Sequence, residues 1–168
     1  MLSSEQSLPS IAPRERVWSA ATVVTRLTLA AGFLSAVADR FGWWGPPNTA
    51  SVGWGDFAAY TAYTHTLSPY VPDGLQSAAA WGATAAESVL GLALLLGVLV
   101  RLAAGASAAL LLGFALSMGL FLGWEAPLSN SVFAAAAAAL LLALAPVGEF
   151  PLSVDRIVHS AATSSTNR

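Results

Sequence analysis

Apolar residues in this chain do not alternate with polar ones; they run on without interruption. Four stretches reach or approach the roughly 20 residues needed to cross a hydrocarbon core about 30 Å thick. They are 17–38, 75–99, 102–122 and the alanine-rich 129–146. Continuous Ala and Leu runs of this length predict helices, because a strand would show alternation and β-branched enrichment. The pattern therefore predicts an all-α protein, a multi-pass integral membrane four-helix bundle formed by residues 17–156. Residues 1–16 and 157–168, rich in Ser and Thr towards the chain ends, are expected to be flexible tails.

Charge sharpens this. Only 10% of the 168 residues are charged and 56% are hydrophobic, against about 25% charged in soluble domains. With four spans, both tails share a side with the turn at Arg101. That side holds Arg14, Arg16, Arg101, Arg156 and Arg168, and the other only Arg40. The arginine excess places both termini in the cytoplasm. Acids do not discriminate, since equal numbers fall on the two sides. Arg14 and Arg16, an apolar run and then Ala36-Val37-Ala38 also look like a cleavable signal peptide. The run is too long for one and holds Arg26, so an uncleaved first helix is expected; cleavage would leave three spans.

Small residues recur at four-residue spacing on every span: Thr28, Gly32, Ala36; Ala79, Ala83, Gly91; Gly105, Ala109, Gly113, Ser117; Ser131, Ala135, Ala139, Ala143. Lipid supplies no hydrophobic drive between helices, so such stripes are expected to be packing faces. Glu87 stands inside the second stripe, and Arg26 interrupts the first span. A charge near mid-span costs about 2.5–3.5 kcal/mol on insertion scales. Counted at 1.5 Å per residue, Arg26 lies roughly 13 Å above Val17 and Glu87 roughly 18 Å from Leu99. If Val17 and Leu99 share one membrane edge, the two charges lie at one level, and an Arg26–Glu87 ion pair is expected. Two readings of that pair stand: a clamp that fixes helix register, or a proton or ligand site.

The outward loop between the first two spans carries Phe41, Trp43, Trp44, Trp54, Phe57, Tyr60, Tyr63 and Tyr70. Asp56 is placed to cap a short helix ending at Leu67. This segment is expected to lie on the outer mouth as a lid. Its aromatics suit the headgroup region. Alternatively Arg40, Trp43, Trp44, Tyr60, Tyr63 and His65 form an entrance for a lipophilic ligand.

Several kinds of chemistry have no residues to carry them. The chain has no cysteine, which removes thiolate and iron–sulfur chemistry. The spans hold no histidine for haem, and a single Glu cannot assemble a zinc or di-iron site, so no metal site is expected. There is no Walker loop, dinucleotide fingerprint or serine elbow, and no basic patch for nucleic acid. No catalytic residue can be assigned. A redox reaction involving this chain would use a cofactor held elsewhere.

Arg26-Leu27-Thr28-Leu29 through Phe33, Arg40, Phe41 and Gly42 resembles the opening of DoxX-like membrane proteins. In them an arginine is followed fourteen positions later by a basic residue, usually lysine, then an aromatic and glycine. Glu87, Gly91, the Leu92–Leu96 run, Gly97 and Arg101 are similar to that family's second signature, and Gly148 to Asp155 to its closing segment. The resemblance spans roughly residues 20–156. Departures are Ala36 where glycine is common, Arg40 in place of lysine, and a longer first loop. The resemblance implies a bacterial inner-membrane bundle linked to quinone-coupled oxidation of small sulfur compounds, since relatives are subunits of thiosulfate:quinone oxidoreductase. It further implies a quinone as the one candidate cofactor and a protein partner, carrying the redox centre, or a second copy of the chain. The competing reading is a non-catalytic anchor, scaffold or assembly factor, with a small-solute permease as a third.

Overall fold

The computed structural model describes residues 13–145 and 150, with side chains from Val17 onward. Arg156, Arg168, all of the Gly148 to Asp155 segment except Phe150, residues 1–12 and the whole 157–168 tail lie outside the described residues. Six helices follow one another: α1 (Pro13–Arg40), α2 (Phe57–Leu67), α3 (Asp73–Leu96), α4 (Val100–Phe121), α5 (Glu125–Ser129) and α6 (Val132–Leu144), with no strand among the described residues. Pro13 opens α1, a position where its missing N–H costs nothing, so α1 takes in residues expected to belong to the N-terminal tail. Three segments, Val17–Arg40, Asp73–Leu96 and Val100–Phe121, are long and apolar enough to cross a membrane; α6 is a shorter apolar helix. An all-helical chain with three such helices is compatible with a membrane helical protein.

The turns are locally encoded. Gly97 ends α3 in the left-handed region at φ 70° and donates its N–H to Ala93 O, the usual way a helix turns off its last carbonyls. Leu99, also left-handed at φ 46°, starts α4. Arg101 Nε then donates to Ala143 O at 3.1 Å, placing a cation at the C-terminal end of α6 where the helix dipole favours it. Asp56 accepts from Ala59 N at 2.7 Å and caps α2.

Helix α1 packs along α3 and α4 along α6, and these two pairs meet each other less extensively. Near the α3–α4 turn, Leu29, Ala30, Phe33, Leu94, Val100, Ala104, Ala139 and Leu142 form a buried apolar cluster. Gly91 sets the register of α1 on α3: a Cβ there would lie 3.0 Å from Leu34 Cγ and 3.2 Å from Phe33 Cβ. Seven residues before Gly91 in α3, Thr84 therefore lies level with Arg40, and the two are bonded. The same register puts Arg26 level with the α3–α4 turn.

Beyond Arg40, α2 takes over beside α3. Phe57 stacks near Trp81 with ring centroids 4.2 Å apart, and His65 lies 3.1 Å from Asp73. The α2–α3 turn is pinned by Gln76 Nε2, which donates to Ser68 O at 3.0 Å and Val71 O at 2.7 Å. Thus α2 runs antiparallel along the N-terminal part of α3. Helices α1 and α2 together cover α3, interrupted by the 41–56 excursion.

Candidate functional site

The interruption between α1 and α2 is where the charges gather. Asp39, in the last turn of α1, accepts from Gly53 N at 3.3 Å and Trp54 N at 2.6 Å. It thereby brings the excursion back to the helix it left. Gly55 follows at φ 74°, with the Pro46–Pro47 backbone where a Cβ would sit, so no side chain fits there. This folding delivers Trp54 and Tyr60 onto Arg40, whose Cζ lies 5.4 Å from the indole centroid and 3.7 Å from the phenol centroid.

Arg40 is 2% exposed. Its Nη2 donates to both carboxylate oxygens of Glu87, at 2.6 and 2.7 Å, and its Nη1 donates to Thr84 Oγ1 at 2.8 Å. Thr84 Oγ1 in turn donates to Ala80 O at 2.8 Å. The cluster is a buried ion pair with a cation–π face. Charge-assisted bonds of this length are the strong ones, and desolvation raises the worth of the stacked ring. Burial pushes the Tyr60 phenol above its ordinary pKa, with the Arg40 guanidinium opposing that rise. Tyr60 therefore remains a neutral O–H.

The expected Arg26–Glu87 pair is not formed: the partner of Glu87 is Arg40. The depth count failed at its starting point, because Val17 and Leu99 do not share an edge. In the register set by Gly91, Leu99 lies level with about residue 25 of α1, and Arg26 falls roughly 17 Å from the level of Glu87. Arg26 is itself buried, at the middle of α1 and well short of the cluster at its C-terminal end.

Around this cluster opens a cavity of about 1040 Å³. Its walls come from five helices and from Trp54 in the excursion: Thr28, Gly32 and Ala36 of α1, Tyr60, Tyr63 and Leu67 of α2, Ala83 and Glu87 of α3, Ala109, Gly113 and Ser117 of α4, and Ala135 and Ala138 of α6. Three of the four small-residue stripes expected to be packing faces line this space for much of their length. A Cβ on Gly32 or Gly113 would meet nothing within 4 Å, whereas Gly91 does the close packing anticipated for it. Small side chains permit close approach, but they leave a hollow where the helices diverge instead.

Of the proposed entrance residues, Arg40, Tyr60 and Tyr63 line the cavity. The other three do not. Trp43 is 81% exposed, Trp44 lies back along α1 with Nε1 donating to Ser35 O at 3.1 Å, and His65 pairs with Asp73 at the surface. Trp54, Thr84 and Asp39 belong to the site and were not anticipated. The adjacency of Asp39 to Arg40, two charges at the end of an apolar run, was the one signal pointing to them. Among the described residues no group of three or more His, Asp and Glu is placed to hold a metal ion. No family model, curated protein or solved structure matches this chain.

Proposed function

We propose that this chain is a DoxX-like protein of the bacterial inner membrane and a ligand-holding membrane subunit or accessory of a quinone-linked oxidoreductase system. In this reading α1, α3, α4 and α6 are the four spans, and the arginine excess holds both termini in the cytoplasm. The chain has no redox cofactor of its own; a protein partner carries that centre. The supporting observation is the cavity. At about 1040 Å³ it matches the upper end of small-molecule sites, and its lining is mostly apolar, with its one pair of charged groups, Arg40 and Glu87, beside Tyr60 among the described lining residues. A quinone has this distribution, a ring with two oxygens on an isoprenoid tail. A pure anchor or scaffold has no use for a hollow that forfeits packing energy.

The test is to purify the protein in lipid nanodiscs, extract bound lipophiles and measure thermal stability with added quinone. Quinone in the extract, and stabilisation by quinone that disappears in Gly113→Phe, supports the reading. Gly113 faces open space, so this variant fills the cavity without a backbone clash. No extracted quinone and no stabilisation would overturn the quinone assignment and leave the anchor reading in its place.

A further inference from the structure

The charge state of the cavity bears on what it accepts. Among its described lining residues the only charged groups are Arg40 and Glu87, and they cancel each other through the two bonds from Nη2. The remaining polar lining is made of hydroxyls, an indole and an amide, among them Tyr60, Tyr63, Thr64, Trp54, Ser117 and Asn130. An anionic head entering here finds the only lining cation already held by a carboxylate at 2.6 Å, and it meets the field of that carboxylate. A cationic head meets the guanidinium in the same way. Burying either charge without a partner is costly, whereas an uncharged head avoids both penalties.

The cluster nevertheless has hydrogen-bond donors to offer. An arginine carries five N–H groups, and three of those on Arg40 are used by Glu87 and Thr84. Its buried Nε has no hydrogen-bond partner among the described residues. These donors suit an oxygen acceptor such as a carbonyl or hydroxyl. Away from this polar end, the lining continues along α1 from Arg40 to Val24, roughly 24 Å at 1.5 Å per residue, past Gly32, Ala109, Gly113 and Ala135. That length and smoothness suit one unbranched or isoprenoid chain.

We infer that the cavity selects a long-chain amphiphile with an uncharged, oxygen-bearing head, and that the mutual neutralisation of Arg40 and Glu87 is what excludes anionic lipids. This rests on the cavity being a ligand site, the basis of the proposed function, but not on the ligand being a quinone.

Oleyl alcohol and oleate share a chain and differ in head charge, so they separate the two properties. Protein in zwitterionic nanodiscs at pH 9 is incubated with each. The amount retained beyond that held by Gly113→Phe nanodiscs is then quantified after extraction. The wild type is expected to retain the alcohol at least about tenfold better than the carboxylate, as one unpaired buried charge is worth at least that factor. Glu87→Gln leaves Arg40 as a net cation and is expected to reverse the preference towards oleate. Equal retention of the two heads by the wild type, or a preference for oleate, overturns the inference whether or not the variant folds. A folded Glu87→Gln protein, judged by its melting transition, that still rejects oleate also overturns it. Failure of quinone to bind while the alcohol preference holds would remove the quinone assignment and leave this selectivity standing.

Discussion

Breaking the Arg40–Glu87 pair from one side tests how the site is held. Glu87→Ala removes both acceptors of Nη2 and leaves a guanidinium in a site where the two side chains are 2% and 3% exposed. The bond to Thr84 at 2.8 Å and the faces of the Tyr60 and Trp54 rings, at 3.7 and 5.4 Å, then remain to Arg40. Arginine cannot shed its proton, so the charge stays and the cost is about 3–5 kcal/mol. The double variant Arg40→Ala/Glu87→Ala removes both charges and is expected to be more stable than Glu87→Ala alone. The coupling energy in that cycle should be about 2 kcal/mol or more. The same cycle run with Arg26→Ala should be additive to within about 0.5 kcal/mol, because residues more than 7–10 Å apart without shared partners do not couple. Unfolding free energies measured by steric trapping in bicelles supply all the terms. Additive losses for Arg40 and Glu87, or strong coupling of Arg26 to Glu87, would refute both the pairing and the helix register behind it.

Three further outcomes are expected. Gly91→Leu forces a side chain against Leu34 and Phe33 and should cost about 1–3 kcal/mol or more. Gly113→Ala meets nothing and should be neutral or stabilising by up to about 1 kcal/mol; equal effects in a melting assay would contradict the assignment of packing and cavity faces. Asp39→Ala strands the N–H groups of Gly53 and Trp54, and about 1–3 kcal/mol should be lost, with faster amide exchange at both. The raised pKa of Tyr60 means that the folded state keeps a proton the unfolded state gives up at pH above about 10. The contribution of that phenol is complete below this pH and is lost as pH rises through the folded value. Tyr60→Phe should therefore flatten the alkaline fall in stability, only in part because burial raises the pKa of Tyr63 as well; an unchanged slope in alkaline unfolding curves would show that Tyr60 is not held neutral by burial.

The amino-acid sequence by itself determined which segments are helical and apolar, and where α2 begins and ends. Those properties are local. Run length against bilayer thickness marks the apolar segments, and Asp56 caps the segment that follows it, whereas the second span, expected to reach residue 99, stops at Leu96 before Gly97. It also singled out Glu87, because a lone carboxylate in an apolar span is conspicuous without any partner.

Only the tertiary structure decided which arginine meets Glu87. That depends on how far α1 slides along α3, a register marked by the close contact of Gly91 with Phe33 and Leu34, which no count along a single helix contains. It also decided that most of the small-residue stripes face a hollow. A glycine or alanine reads the same in sequence whether a neighbour approaches it or not, and the divergence of the two helix pairs determines which happens. Arg40 looked like a loop residue at the end of a span. Asp39, the returning excursion and Thr84 and Glu87 of α3 enclose it, and they make it the polar end of the cavity.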